Sequence, residues 1–198
     1  MQLIIFFSIL ISSAFADFST CRVDDLDASD CAFYNDCIES KVQCGKSGYA
    51  LSYGEHYCNR FEQKFTDYAE EFSSMAHVWR ERTAVCLQKE ILSTVEEIIK
   101  NPTASNQNDC RTIRVNAFSQ HAECYTQEES SICLLPPRDI ISILRLRIID
   151  YRDLFFTREA RSQIREVQKI CLRQLSRIPK DSRYKWWKEN ALNVTNYL

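Results

Sequence analysis

The reactive side chains of this 198-residue chain are chiefly ten cysteines and three histidines. The cysteines are Cys21, Cys31, Cys37, Cys44, Cys58, Cys86, Cys110, Cys124, Cys133 and Cys171. Two chemistries use such a set: chelation of structural zinc, or disulfide bonding in an oxidising compartment. Zinc wants short chelating pairs such as CxxC beside a second pair; here the closest cysteines are Cys31 and Cys37, and no CxxC occurs. The even count and wide spacing read as five disulfides, which would leave no thiol for a Cys–His nucleophile. His56, His77 and His121 make no HExxH or other two-ligand helix motif, and no GxSxG or Walker sequence is present. No catalytic, cofactor-binding or metal-ligating residue is therefore assigned, and the chain is read as a non-enzyme. Asp24, Asp25, Asp27 and Asp30 form an acidic cluster but lack the glycine and terminal glutamate of an EF-hand loop, so a solvated segment with a helix cap is expected there.

Disulfides require an oxidising compartment, and the first sixteen residues point to one. Met1 to Ile11 is an apolar run without side-chain charge, followed by Ala14-Phe15-Ala16, small residues where signal peptidase needs them. Residues 1–16 are expected to be a signal peptide, with cleavage before Asp17 and a secreted, extracellular product. The run is too short to span a bilayer comfortably, and the later apolar stretch from Ile140 to Ile149 is interrupted by Arg145 and Arg147. The product is expected not to span a membrane, and export excludes a nucleic-acid partner.

The elements that hold the cysteines are expected to be helices. Hydrophobic residues make up 45% and charged residues 26%, at a net charge of −2, which excludes a disordered chain. Only 3 glycines and 4 prolines leave few places for turns. Residues 17–178 are read as one disulfide-rich helical domain, and 179–198 as a C-terminal tail. Five of the cysteines and all three glycines fall in 17–58, a loop-rich lobe with a short helix around Asp30 to Ser40. Tyr57, Phe61, Phe65 and Tyr68 recur at helical spacing. Ser73-Ser74 offers an N-cap for a long helix to about Lys100, with Met75, Val78, Trp79, Val85, Leu92, Val95 and Ile99 on its apolar side. Asn101-Pro102 stops it, and a helix follows over 109–125 with Ile113, Ala117 and Phe118 inward. Pro136-Pro137 opens another over roughly 138–152, and Thr157 caps the last, which Pro179 ends near Ile178.

Helix rise constrains two of the bonds. From Cys86 up to Lys100 is about 21 Å, and Cys110 down to Cys124 returns about the same, so an antiparallel hairpin sets Cys86 level with Cys124. The helix after Cys133 rises about 22 Å and the chain from Arg158 to Cys171 returns about 20 Å, setting Cys133 level with Cys171. The expected fold is all-α: a disulfide-stapled bundle of antiparallel helical hairpins with a loop-rich N-terminal cysteine lobe.

The cysteine order, with Cys86-Leu87, Glu123-Cys124-Tyr125 and the stretch on to Cys133, resembles that of the stanniocalcins, secreted helical glycoprotein hormones. The resemblance covers about 21–171 and implies the pairing Cys21–Cys37, Cys31–Cys58, Cys44–Cys110, Cys86–Cys124 and Cys133–Cys171. It further implies an extracellular signalling factor that binds a receptor or a secreted protease, associated with calcium and phosphate handling and with inhibition of a large secreted metalloprotease. The chain departs from the family in three places. No cysteine follows Cys171 to link two chains, no sequon lies between Cys37 and Cys44, and the loop from Cys44 to Cys58 is longer.

Charge is divided along the chain. Residues 17–75 hold 12 acidic and 5 basic side chains, net −7, whereas 138–188 hold 6 and 14, net +8. Arg161, Arg165, Lys169, Arg173 and Arg177 recur every four residues and form a slowly winding basic stripe. Three readings stay open: a surface for sulphated glycans or an acidic protein, the solvated side opposite Ile164, Val167, Cys171, Leu175 and Ile178, or an end that attracts the acidic end of a second copy in a non-covalent homodimer. The tail carries Trp186-Trp187 and a sequon at Asn193-Val194-Thr195, so Asn193 is a candidate glycosylation site. A structural or glycan-binding component, and a secreted enzyme with an unrecognised site, are the alternatives to the hormone.

Overall fold

A computed structural model describes residues 21–146, 148 and 158–177. The expected signal peptide, the tail with Trp186, Trp187 and Asn193, and the Thr157 cap all lie outside these residues.

The acidic lobe opens with a 3-10 turn, Val23–Asp25, and a π-helical stretch, Tyr34–Glu39, that runs into α1 (Ser40–Val42). A second π-helical stretch, Ala50–Glu55, continues into α2 (His56–Asp67). The two π-helical stretches pack against each other with Gly54 at the crossing, where any Cβ would run into the Tyr34 ring. Glycine is the only residue that lets the backbones approach this closely. Cys21–Cys37 and Cys31–Cys58 cross-link this lobe internally.

The long helix α3 (Ser74–Lys100) starts where the hydroxyl of Ser73 accepts from the Ala76 amide at 3.3 Å. Asp139, fully buried, accepts from the Ser73 amide at 2.9 Å and from its hydroxyl at 2.5 Å, so the cap is itself held from a helix 66 residues away. After a turn at Asn101, α4 (Asn106–Tyr125) returns along α3. The Trp79 indole N–H donates to the Tyr125 carbonyl at 3.0 Å and the Thr83 hydroxyl to the Cys124 carbonyl at 3.3 Å, which fixes the antiparallel register beside Cys86–Cys124. A two-stranded hairpin, β1 (Thr126–Gln127) and β2 (Ser130–Ser131), leads to Cys133 and to α5 (Pro137–Arg145). The last described element is α6 (Arg158–Arg177).

The all-α, disulfide-rich architecture holds: five disulfides and one small hairpin among the described residues. Three details differ from the expected pattern. On α3, Trp79, Leu92 and Val95 are buried, but Met75, Val78 and Ile99 are 39%, 43% and 44% exposed. The inward face includes Thr83 and Gln88 instead, polar residues that a hydrophobic pattern passes over and whose hydroxyl and amide N–H groups donate to backbone carbonyls. Helix α5 ends at Arg145, where the Leu146 amide donates to the Ser142 carbonyl at 2.9 Å, and residues 149–152 of the expected helix lie outside the described residues. And α6, although bonded to Cys133, packs among the described residues chiefly along α4, not along α5.

Two apolar cores result. One gathers Phe33, Tyr34, Ile38, Ile91, Leu92, Val95, Ile113 and Phe118 between the lobe and the far half of the hairpin. The other gathers Phe65, Phe72, Trp79, Leu135, Ile143, Ile148 and Leu175 at the near end. Helix α3 runs through both. The Asp139–Ser73 contact ties α5 into the second core, so Asp139→Asn should lower unfolding free energy by about 2 kcal/mol, read by guanidinium denaturation without reductant. Breaking the exposed Arg145–Glu71 pair with Arg145→Gln should cost under about 1 kcal/mol. Equal costs would show that Asp139 is not the tie.

Candidate functional site

Helix α6 owes its face to what pins its other side. The Gln174 amide donates to the Thr126 carbonyl at 2.7 Å, and its carbonyl oxygen accepts from the Ser131 hydroxyl at 2.6 Å. Cys171 is bonded to Cys133 one turn earlier, and Gln163 reaches His121 on α4. Cys171, Leu175 and Gln163 are buried; Ile164 and Val167 are half-buried. With that side fixed, Arg161, Arg165, Lys169, Arg173 and Arg177 are all exposed, together with Arg158. Lys169 meets Glu166 at 3.0 Å; the arginines have no ion-pair partner among the described residues. From Arg161 to Arg177 the row extends about 24 Å. It can therefore present a continuous positive field to an acidic partner.

The structure gives the three histidines different roles. His56 is exposed and edge-on to Tyr57, while the His77 ring reaches the Ala69 carbonyl at 3.3 Å and packs edge-on to Phe65. His121 is 1% exposed, and both of its ring nitrogens are occupied. Nδ1 donates to the Gln163 side-chain carbonyl at 3.3 Å, and Nε2 accepts from the Tyr49 hydroxyl at 2.9 Å. Burial pushes the imidazole down to about 4, with the Gln163 bond pulling the other way. Desolvation also raises the Tyr49 and Tyr34 hydroxyls, and carries Tyr125 up to about 12 against a bond from Gln163. At neutral pH the cluster is therefore uncharged.

Beside it lies a largely apolar cavity of about 50 Å³ whose lining includes Tyr34, Tyr49, Tyr53, Phe61, Leu87 and His121, with Gln88 and Arg80 as polar members. The Gln88 amide donates to the carbonyls of Asp27 and Asp30 at 2.8 and 3.1 Å, while its Oε1 and the Arg80 Nε are buried with no partner among the described residues. Space for about one to three waters and two unpaired polar atoms suit ordered solvent rather than an organic substrate.

The acidic cluster is consumed locally. Asp27 accepts from the Ser29 amide and hydroxyl at 2.8 Å each, which holds its carboxyl below the ordinary range, and Asp30 accepts from the Phe33 amide at 3.3 Å. Among the described residues no group of three or more His, Cys, Asp or Glu is placed to hold a metal ion. All ten cysteines are bonded: Cys21–Cys37, Cys31–Cys58, Cys44–Cys110, Cys86–Cys124 and Cys133–Cys171. These are the pairs that the family resemblance implies.

Sequence reasoning passed over Gln163, Gln174, Gln88 and Asp139. The available signal was a polar residue standing on an otherwise apolar helical stripe, as Gln163 and Gln174 stand beside Ile164, Val167, Cys171 and Leu175. No known protein family, no curated protein and no solved structure matches this chain.

The depressed imidazole makes stability depend on pH. The unfolded histidine takes its proton near the ordinary value of 6.5 and the folded one only near 4, so His121 favours the fold above pH 6.5. That contribution is lost between 6.5 and 4, by up to about 3 kcal/mol. Denaturation midpoints of the parent and His121→Gln should therefore converge as pH falls through this window. Parallel curves would show that His121 does not titrate with folding.

Proposed function

We propose that this chain is an exported, non-enzymatic signalling factor of the stanniocalcin type. It acts by presenting a rigid helical surface to an extracellular receptor or a secreted protease, in calcium and phosphate handling or in protease inhibition. The observation that carries the reading is the complete pairing of ten cysteines in the implied pattern. Such a network suits an oxidising compartment, and among the described residues no helix is long and apolar enough to cross a membrane. Each bond adds about 2–4 kcal/mol by restricting the unfolded chain, and a body so braced loses little freedom on binding.

A second reading is favoured by one feature, the unpaired arginines of α6: capture by sulphated glycans, or docking of the acidic lobe of another copy in a non-covalent homodimer. The two differ in readout. Glycan capture makes Arg165→Ala with Arg173→Ala elute from heparin at lower salt, with no change in mass. Self-association gives a dimer at low salt that dissociates as the Debye length shrinks.

The proposal is tested by expressing the full chain in secretory cells. The product is expected in the medium, starting at Asp17, without free thiols, with Cys86 joined to Cys124 on non-reducing peptide mapping. Added to a secreted metalloprotease or to receptor-bearing cells, it should inhibit or bind at a defined stoichiometry. Reduced protein retained in the cytosol would overturn the extracellular reading; turnover of a substrate lost on replacing one polar residue of a folded protein would overturn the non-enzymatic one.

A further inference from the structure

The segment 43–49 and the first turns of α4 enclose an open cleft of about 400 Å³, none of whose lining residues belongs to α6. Its floor is the Cys44–Cys110 bond, with Cα atoms 5.6 Å apart. The Asn106 amide clamps the rim by donating to the Gln43 carbonyl at 3.3 Å. The loop that forms one wall is thus covalently fixed to the helix that forms the other, so the cleft exists before anything enters it.

Arg111 and Arg114 line it, and no aspartate or glutamate does. They stand three residues apart on α4, a spacing that puts both side chains on one face. Arg111 is exposed; Arg114 is half-buried with its guanidinium 5.4 Å from the Phe118 ring centroid, which holds it in place by a cation–π contact. Neither has an ion-pair partner among the described residues. The nearest carboxylate in sequence, Asp109, is buried and accepts from the Thr103 amide at 3.1 Å. Two arginines without an ion pair among the described residues thus stand on one face of α4 at a concave surface, while Glu39, the carboxylate behind the loop wall, accepts from the Gly45 amide and does not line the cleft. Gln43, Ser47, Asn106 and Gln107 add neutral amides and a hydroxyl around them.

We infer that this cleft binds a sulphate or phosphate monoester carried on a small polar body such as a sugar. Paired guanidinium forks match the several oxygens of a tetrahedral anion. A volume of about 400 Å³ exceeds a bare ion and lies in the range of small-molecule sites. The surrounding amides and hydroxyl suit the hydroxyls of the body. The inference concerns the purified chain and stands whether or not the chain is exported.

The test titrates the full-length oxidised protein with glucose 6-sulfate, glucose 6-phosphate and glucose by calorimetry. Saturable binding of one ester per chain is expected, weakened about tenfold or more by Arg111→Gln and unchanged by Arg165→Gln with Arg173→Gln. Preference for one ester would identify which anion the cleft is built for. Since Arg114 also packs on Phe118, Arg111 is the primary variant, and its unfolding temperature should match the parent. Equal binding of plain glucose, saturable binding of neither ester, or binding insensitive to Arg111→Gln but lost with the α6 pair would each overturn the inference.

Discussion

The antiparallel union of α3 and α4 is the constraint on which the rest depends. Cys86–Cys124 sets their register covalently, and the bonds from Trp79 to the Tyr125 carbonyl and from Thr83 to the Cys124 carbonyl repeat it without covalent help. With the two helices so aligned, the far end of the pair receives the acidic lobe, which Cys44–Cys110 ties to α4. The near end receives α5 and the last turns of α6. Helix α2, with Cys58 bonded into the lobe and Phe65 in the second core, and α6, lying along α4, join the two ends together with the long helices.

Between the two cores the interior is polar and aromatic. Thr83, Gln88, His121 and Gln163 are all buried there, where an apolar filling would have been simpler. Burying such groups is tolerated because nearly all of their polar atoms find partners. The return is directional. Gln163 must meet His121 and Gln174 must meet Thr126 and Ser131, so α6 has one rotation about its axis and one shift along α4. An apolar stripe alone would permit sliding, whereas hydrogen bonds of fixed geometry do not. The basic row of α6 faces outward as a consequence.

Charge on this molecule is arranged by the same scaffold. The row on α6 is extended and convex, suited to long-range attraction of an acidic surface. Arg111 and Arg114 are few, concave and flanked by neutral donors, suited to one small anion. The row on α6 is set by Cys133–Cys171 and by backbone contacts on the helix's other side, and the Arg111 and Arg114 cleft by the Cys44–Cys110 bond that ties its loop wall to α4.

Much of the fold was legible because it rests on periodicity and rise per residue, which are local properties of the backbone. The paired level of Cys86 with Cys124, the Ser73 cap, the inward Ile113, Ala117 and Phe118, and the exposure of Arg161 through Arg177 all follow from counting along helices; Cys133 does bond Cys171, but with α6 on α4 instead of on the helix that the count assumed. The pairing Cys21–Cys37, Cys31–Cys58 and Cys44–Cys110 did not, since loops between those residues have no fixed rise; a family resemblance implied it. Only the tertiary structure decided that α6 lies on α4, that Thr83, Gln88 and Asp139 belong inside while Met75 and Val78 do not, and that the 43–49 segment makes a cleft with Arg111 and Arg114. Each of these depends on which groups from distant parts of the chain meet a given side chain, and a polar residue carries no mark in one dimension of whether its partner will be water or a carbonyl.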